Sequence, residues 1–149
     1  MTDLSAAIGL HQLPRLEAWT ERRAALAARY DTLLAGLPVR TPAAVDPRAR
    51  HSWHLYQVLV DPEAGMSRDA ILDGLLARRI GTGVHYRGVH LHPYYARACG
   101  IEPDMLPVAS DISERTLSLP LSPNMTDADQ DDVVEALASV LASGPALVS

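Results

Sequence analysis

The 149 residues suffice for one domain with a real core, and a hydrophobic fraction of 48% is ordinary for a globular protein. Eighteen acidic side chains against thirteen basic ones give a net charge of −5, which argues against a nucleic-acid-binding protein, where a basic face is expected. The single cysteine, Cys99, excludes an internal disulfide and points to a reducing compartment, the cytoplasm, and no segment reads as a signal peptide or a membrane span.

In chain order, residues 2–13 read as a helix with Leu4, Ala7, Ile8 and Leu10 as its apolar stripe and Thr2 or Asp3 at its start. Pro14 suits the first turn of a second helix reaching Ala35, whose apolar positions Leu16, Trp19, Leu26, Tyr30, Leu33 and Leu37 recur in three- and four-residue steps. Gly36 is the expected helix end. Residues 38–50 carry three prolines and read as a loop with room for a short strand. Trp53–Val60 is rich in β-formers and predicts a strand, with His51 and His54 flanking Trp53 and His54 expected to be packed. Ser67 caps a helix to Arg79 with Ile71, Leu72, Leu75 and Leu76 inward. Residues 81–86 predict a second strand, 94–99 a helical turn, 107–115 a helix and 116–119 a third strand. Pro120 and Pro123 mark a turn. Thr126 with Asp129 forms a capping box for a last helix with Val133, Val134, Leu137, Val140 and Leu141 inward, and residues 143–149 read as a frayed tail.

This order gives a two-layer α/β domain, a small, mostly antiparallel sheet packed by helices, preceded by a long helical N-terminal arm. The arm has an apolar stripe and no preceding element to cover, so a partner domain or second chain is expected against it.

Chemistry concentrates in residues 80–95, where His85, His90, His92, Tyr86, Tyr94 and Tyr95 fall within sixteen residues. Three readings compete. A metal site is disfavoured, because the His-x4-His-x-His spacing matches no zinc pattern and no carboxylate interleaves it. The histidines can instead be polar groups bonded to backbone at a strand end. Or they form the wall of a pocket for an anionic or sugar-like ligand, with imidazole and phenol donors and the fixed charge of Arg87. Gly81-Thr-Gly83 lacks the rest of a phosphate loop, and no nucleophile elbow is present.

Several stretches taken together resemble one family. They are residues 1–13, Arg22-Arg23 with Ala28-Arg29-Tyr30, His51-Ser52-Trp53-His54-Leu55-Tyr56, Ile80–Tyr86, His90–Tyr95, Leu106–Ala109, Leu117–Leu121 and Thr126–Asp129. In that order they are similar to the C-terminal part of the DegT/DnrJ/EryC1/StrS sugar aminotransferases. The resemblance implies the small C-terminal domain of the aspartate-aminotransferase fold (fold type I), with residues 1–37 as an arm linking to a large domain and residues 38–149 as the small domain. It implies pyridoxal 5'-phosphate as cofactor, a nucleotide-linked keto sugar and glutamate as substrates, and a homodimer. The family's Asn-x-Arg motif and catalytic lysine lie upstream of the segment matching Met1.

All thirteen basic residues are arginine, and the chain has no lysine. Schiff-base chemistry needs a primary amine, so the resemblance implies no catalytic residue in this chain, which is expected to be inactive alone and to be cut or started at an internal methionine. His85, Tyr86 and His90, with Arg87 beside them, are the substrate-binding candidates that the resemblance carries over. Two departures bear on this: Ser5 stands where the family usually has Gln, and Gly88 where many members have Pro. The alternative is a stand-alone, non-catalytic module that binds a nucleotide sugar or dimerises.

Overall fold

In Tyr56–Val60 buried and more exposed positions alternate, the period of a strand with one face on a core. In the computed structural model, which describes residues 1–144, this strand is the centre of a three-stranded antiparallel sheet of order β1-β2-β3. The strands are β1 (Val39–Arg40), β2 (Tyr56–Val60) and β3 (Thr116–Leu119). The helices are α1 (Asp3–Gln12), α2 (Leu16–Leu33), α3 (Arg68–Ala77), α4 (Pro93–Cys99), α5 (Pro107–Arg115) and α6 (Asp127–Ser143). The antiparallel sheet with packed helices agrees with the expected architecture.

One core holds it together. Tyr56 and Val58 stand opposite Leu119 and Leu117, and all four side chains are buried. Ala27, Tyr30 and Leu34 of α2, Ile71 and Leu75 of α3, and Val133, Leu137 and Val140 of α6 close over them. The Tyr30 and Tyr56 rings meet at 4.8 Å, and each hydroxyl has a partner, Pro120 O at 2.9 Å and Asp31 Oδ1 at 2.6 Å. Burial pushes both phenols well above the ordinary tyrosine range. Gln130, fully buried in α6, donates to Leu26 O of α2 at 2.7 Å, so this polar side chain adds a directional tie between two core helices.

The ends follow local chemistry. Ser67 Oγ accepts from Ala70 N at the start of α3. Both bonds of the Thr126–Asp129 capping box are present, and Arg22 ties α2 to this corner through Met125 O and Asp127. Gly36, past the end of α2, has a φ of +86° that a side chain resists.

Four expectations need correction. The strand expected from Trp53 begins at Tyr56, because Trp53 takes a positive φ of 47° and Leu119 is the last residue available for pairing. Residues 81–86 make only a single bridge, Gly83 to Ser118, where two glycines leave little to hold an extended run. Leu76 is 69% exposed, because α3 turns only Ile71 and Leu75 fully inward. His54 is exposed rather than packed. In the expected tail, α6 continues through Ser143, and residues 145–149 lie outside the described residues.

α1 has no buried residue: Leu4 and Leu10 are 74% and 73% exposed, and among the described residues nothing covers this stripe. α2 enters the core from Thr20 onward. Among the described residues no helix is long and apolar enough to cross a membrane.

Two predictions follow from this packing. A Cβ added at Gly74 would stand 2.8 Å and 3.0 Å from the two methyls of Val140, whose branched side chain has little freedom to move. The helix-propensity gain of Gly74→Ala, about 1 kcal/mol, is therefore outweighed by overpacking of about 1–3 kcal/mol. The urea midpoint should fall with the slope unchanged. The second concerns acid. The backbone N–H and hydroxyl of Thr126 hold the Asp129 carboxyl below its usual range, and the Arg22 guanidinium does the same for Asp127. A depressed folded value means stabilisation that is full above the unfolded carboxylate value of about 4 and lost as pH falls through the folded value. The melting temperature should drop below that pH, and Asp129→Asn should shrink the drop.

Candidate functional site

Side chains alternate along β2 and β3, so Gln57, Leu59, Thr116 and Ser118 face away from the core helices. Gln57 and Ser118 are direct register partners on this second face. At the outer edge of β3, Gly83 pairs with Ser118 through two backbone bonds of 3.3 Å and 2.8 Å. A Cβ at Gly83 would stand 2.9 Å from His85 Cε1, so glycine lets the imidazole fold back over the bridge. His85 Nδ1 lies 2.8 Å from Ser118 Oγ, and Gln57 Nε2 donates to the His85 carbonyl. Backbone and ring of His85 are thus both fixed to the sheet.

The next two residues stand outside. Tyr86 is 74% exposed, with its ring edge-on to that of His85 at 4.9 Å, and the peptide joining them is cis. Arg87 is exposed and donates to Leu91 O at 3.2 Å, which folds its guanidinium over the turn Val89–Leu91. Gly88 N donates to Ser113 Oγ of α5 at 2.7 Å. His90 is only 7% exposed, and its Nε2 lies 2.8 Å from Ser110 Oγ.

The four candidate residues therefore share one loop at different depths. Tyr86 and Arg87 are at the surface, His85 is half-buried, and His90 lies beneath them against α5. An open cleft of about 410 Å3 borders the loop, lined by Arg68, Val84, Arg87, Leu91 and Glu114 among others, and of the four candidates it includes only Arg87. His92, Tyr94 and Tyr95 fall apart from the loop: Pro93 starts α4, and the two tyrosine rings pair with each other at 5.2 Å. The sequence reading missed the supporting residues Gln57, Ser118, Ser110 and Ser113. Their signals are weak, two outward positions on facing strands and two serines three residues apart on one helix.

The chain's donor set can be tested against the cofactor that the resemblance implies. No side chain is a primary amine, so the group that would bind the pyridoxal aldehyde covalently is missing, and the residues present do not fit covalent attachment.

Residues 1–138 match the sequence profile of the DegT/DnrJ/EryC1/StrS aminotransferase family. The chain is similar to the spore coat polysaccharide biosynthesis protein SpsC of Bacillus subtilis, 43% identical over 95% of this chain and 37% of SpsC. Among solved structures, the aminotransferase TlmJ from Streptoalloteichus hindustanus superposes with a TM-score of 0.82 at 33% identity, over 96% of this chain and 37% of TlmJ. The PLP form of Spr1654 from Streptococcus pneumoniae does so with a TM-score of 0.86 at 29% identity, over 96% of this chain and 36% of Spr1654. The chain thus spans about a third of the length of the relatives it matches. These structures are aminotransferases of fold type I, and Spr1654 was solved in both PLP and PMP forms. By the reach of this match, the chain belongs to the DegT/DnrJ/EryC1/StrS aminotransferase family, whose members work with pyridoxal phosphate.

Proposed function

We propose that this chain is the C-terminal part of an aminotransferase that acts on nucleotide-linked keto sugars with glutamate as amino donor, in a cytoplasmic homodimer. Residues 1–37 serve as the arm to a large cofactor-bearing domain, and residues 38–149 form the small domain. The observation that carries this reading is a family match along residues 1–138 in a chain that has no lysine. The fixed, polar loop of His85, Tyr86, Arg87 and His90 is the substrate wall, and the reacting amine lies elsewhere.

Two features support it. The uncovered stripe of α1 and the exposed apolar residues Val89, Met105, Leu106 and Val108 are what a domain leaves open when it packs on another. The loop also offers suitable donors for a sugar phosphate, a phenol and a guanidinium at the surface and an imidazole edge behind them. His85 and Tyr86 supply directional hydrogen bonds, Arg87 fixed positive charge, and His90 holds the loop from below. Pyridoxal phosphate, when bound in the full enzyme, supplies the electron sink for amino transfer.

Two measurements test this. With pyridoxal phosphate, glutamate and nucleotide-linked keto sugars, the isolated chain should produce no 2-oxoglutarate above background; turnover would defeat the reading. In a parent polypeptide that includes the upstream domain, His85→Ala should lower kcat/KM for the sugar by about ten- to a hundredfold. That is the loss of one directional hydrogen bond in a desolvated site, about 1–3 kcal/mol. An unchanged value would remove His85 from the site.

A further inference from the structure

The surface residues Tyr86 and Arg87 form a span of two residues between two anchors. On one side His85 is fixed to β2 and β3 through Gln57 and Ser118. On the other, two serines of α5 hold the chain. Ser113 Oγ accepts from Gly88 N at 2.7 Å, and Ser110 Oγ lies 2.8 Å from His90 Nε2. The serines are three residues apart and so share a face of the helix. Ser113 is 4% exposed and His90 7%, so water competes little for these bonds.

The proton positions at Ser110 can be worked out. Its hydroxyl donates to Pro103 O at 2.8 Å, and a carbonyl can only accept. The single hydroxyl proton is thereby used, so His90 must supply the proton of the other bond. His90 therefore carries hydrogen on Nε2, and Ser110 links it to the turn Pro103–Met105.

Gly88 completes the arrangement. Its φ of −54° is open to most residues, so backbone conformation does not demand glycine. Space does: a Cβ there would stand 2.7 Å from His90 Cε1 and 3.0 Å from Nδ1. The imidazole lies directly against the Gly88 backbone while the Gly88 N–H points to Ser113. A proline at this position would both strike the ring and remove the donor.

We propose that Ser110 and Ser113 are positioning residues: with Gly88 and His90 they form a clamp that sets where Tyr86 and Arg87 stand. The clamp rests on the reading of residues 85–90 as the substrate wall only for what it positions; its geometry stands apart from that reading. Holding a short exposed span at both ends removes conformational freedom before a ligand arrives, and so strengthens binding without adding a contact.

The test uses the 15N-labelled chain with Ser113→Ala, Ser113→Thr and Ser110→Ala, each checked for an intact fold through the amide signals of β2 and β3. In Ser113→Ala the Gly88 amide should shift upfield, exchange about three- to tenfold faster, and be accompanied by a lower heteronuclear NOE at Tyr86 and Arg87. Ser113→Thr keeps the oxygen and should retain the native values. In the native chain the imidazole 15N shifts should show His90 protonated at Nε2, and in Ser110→Ala this preference should weaken. Binding of UDP-N-acetylglucosamine, used as the nucleotide-sugar probe, should weaken by up to about tenfold in Ser113→Ala and recover in Ser113→Thr. Unchanged NOE values at Tyr86 and Arg87 in a folded Ser113→Ala, or a Ser113→Thr as disturbed as the alanine variant, overturn the clamp. If the native chain does not bind the probe, the substrate reading of this loop loses its support, and the amide and tautomer signals still decide the clamp.

Discussion

In the register that pairs β2 with β3, Tyr56, Val58, Leu117 and Leu119 all face the helices. A slip of β3 by one residue would turn Leu117 and Leu119 out and bring Thr116 and Ser118 toward the core. Apolar burial thus disfavours a one-residue slip, and the observed register places Gln57 and Ser118 side by side on the opposite face. His85 is tied to both. The loop that carries the candidate site is in this sense held by the same constraint that builds the core.

On that second face Ser118 and Thr116 are buried, and Gly83 pairs with Ser118 along the outer edge of β3. Two glycines, Gly83 and Gly88, lie against imidazoles: each lets a ring approach the backbone where a Cβ would block it.

The chain belongs to an aminotransferase family and has no lysine. The covalent step needs an amine that this chain does not have. Positioning a substrate, the role proposed for the loop of His85, Tyr86, Arg87 and His90, needs only donors held in place. The open stripe of α1 and the exposed apolar residues near α5 are consistent with the proposed packing on a further domain.

Much of the architecture was legible in local pattern. The helices near 68–77, 107–115 and 127–143, the strand at 116–119 and the capping box at Thr126 follow from periodicity and end-chemistry that act over a few residues. The family, too, was legible in the ordered motifs, as was the absence of the Schiff-base amine. What local pattern could not give was pairing across distance. Trp53 looked like strand, but the partner strand ends at Leu119. Residues 81–86 looked like strand, but only Gly83 finds a neighbour. Leu76 looked buried, but among the described residues no element covers it, and it is largely exposed. The candidate site shows the same division. Composition marked His85, Tyr86, Arg87 and His90 as a group, because titratable and aromatic residues cluster there. Only the tertiary structure separated the exposed pair from the buried histidine and brought in Gln57, Ser118, Ser110 and Ser113, because each of these bonds joins residues at least twenty positions apart.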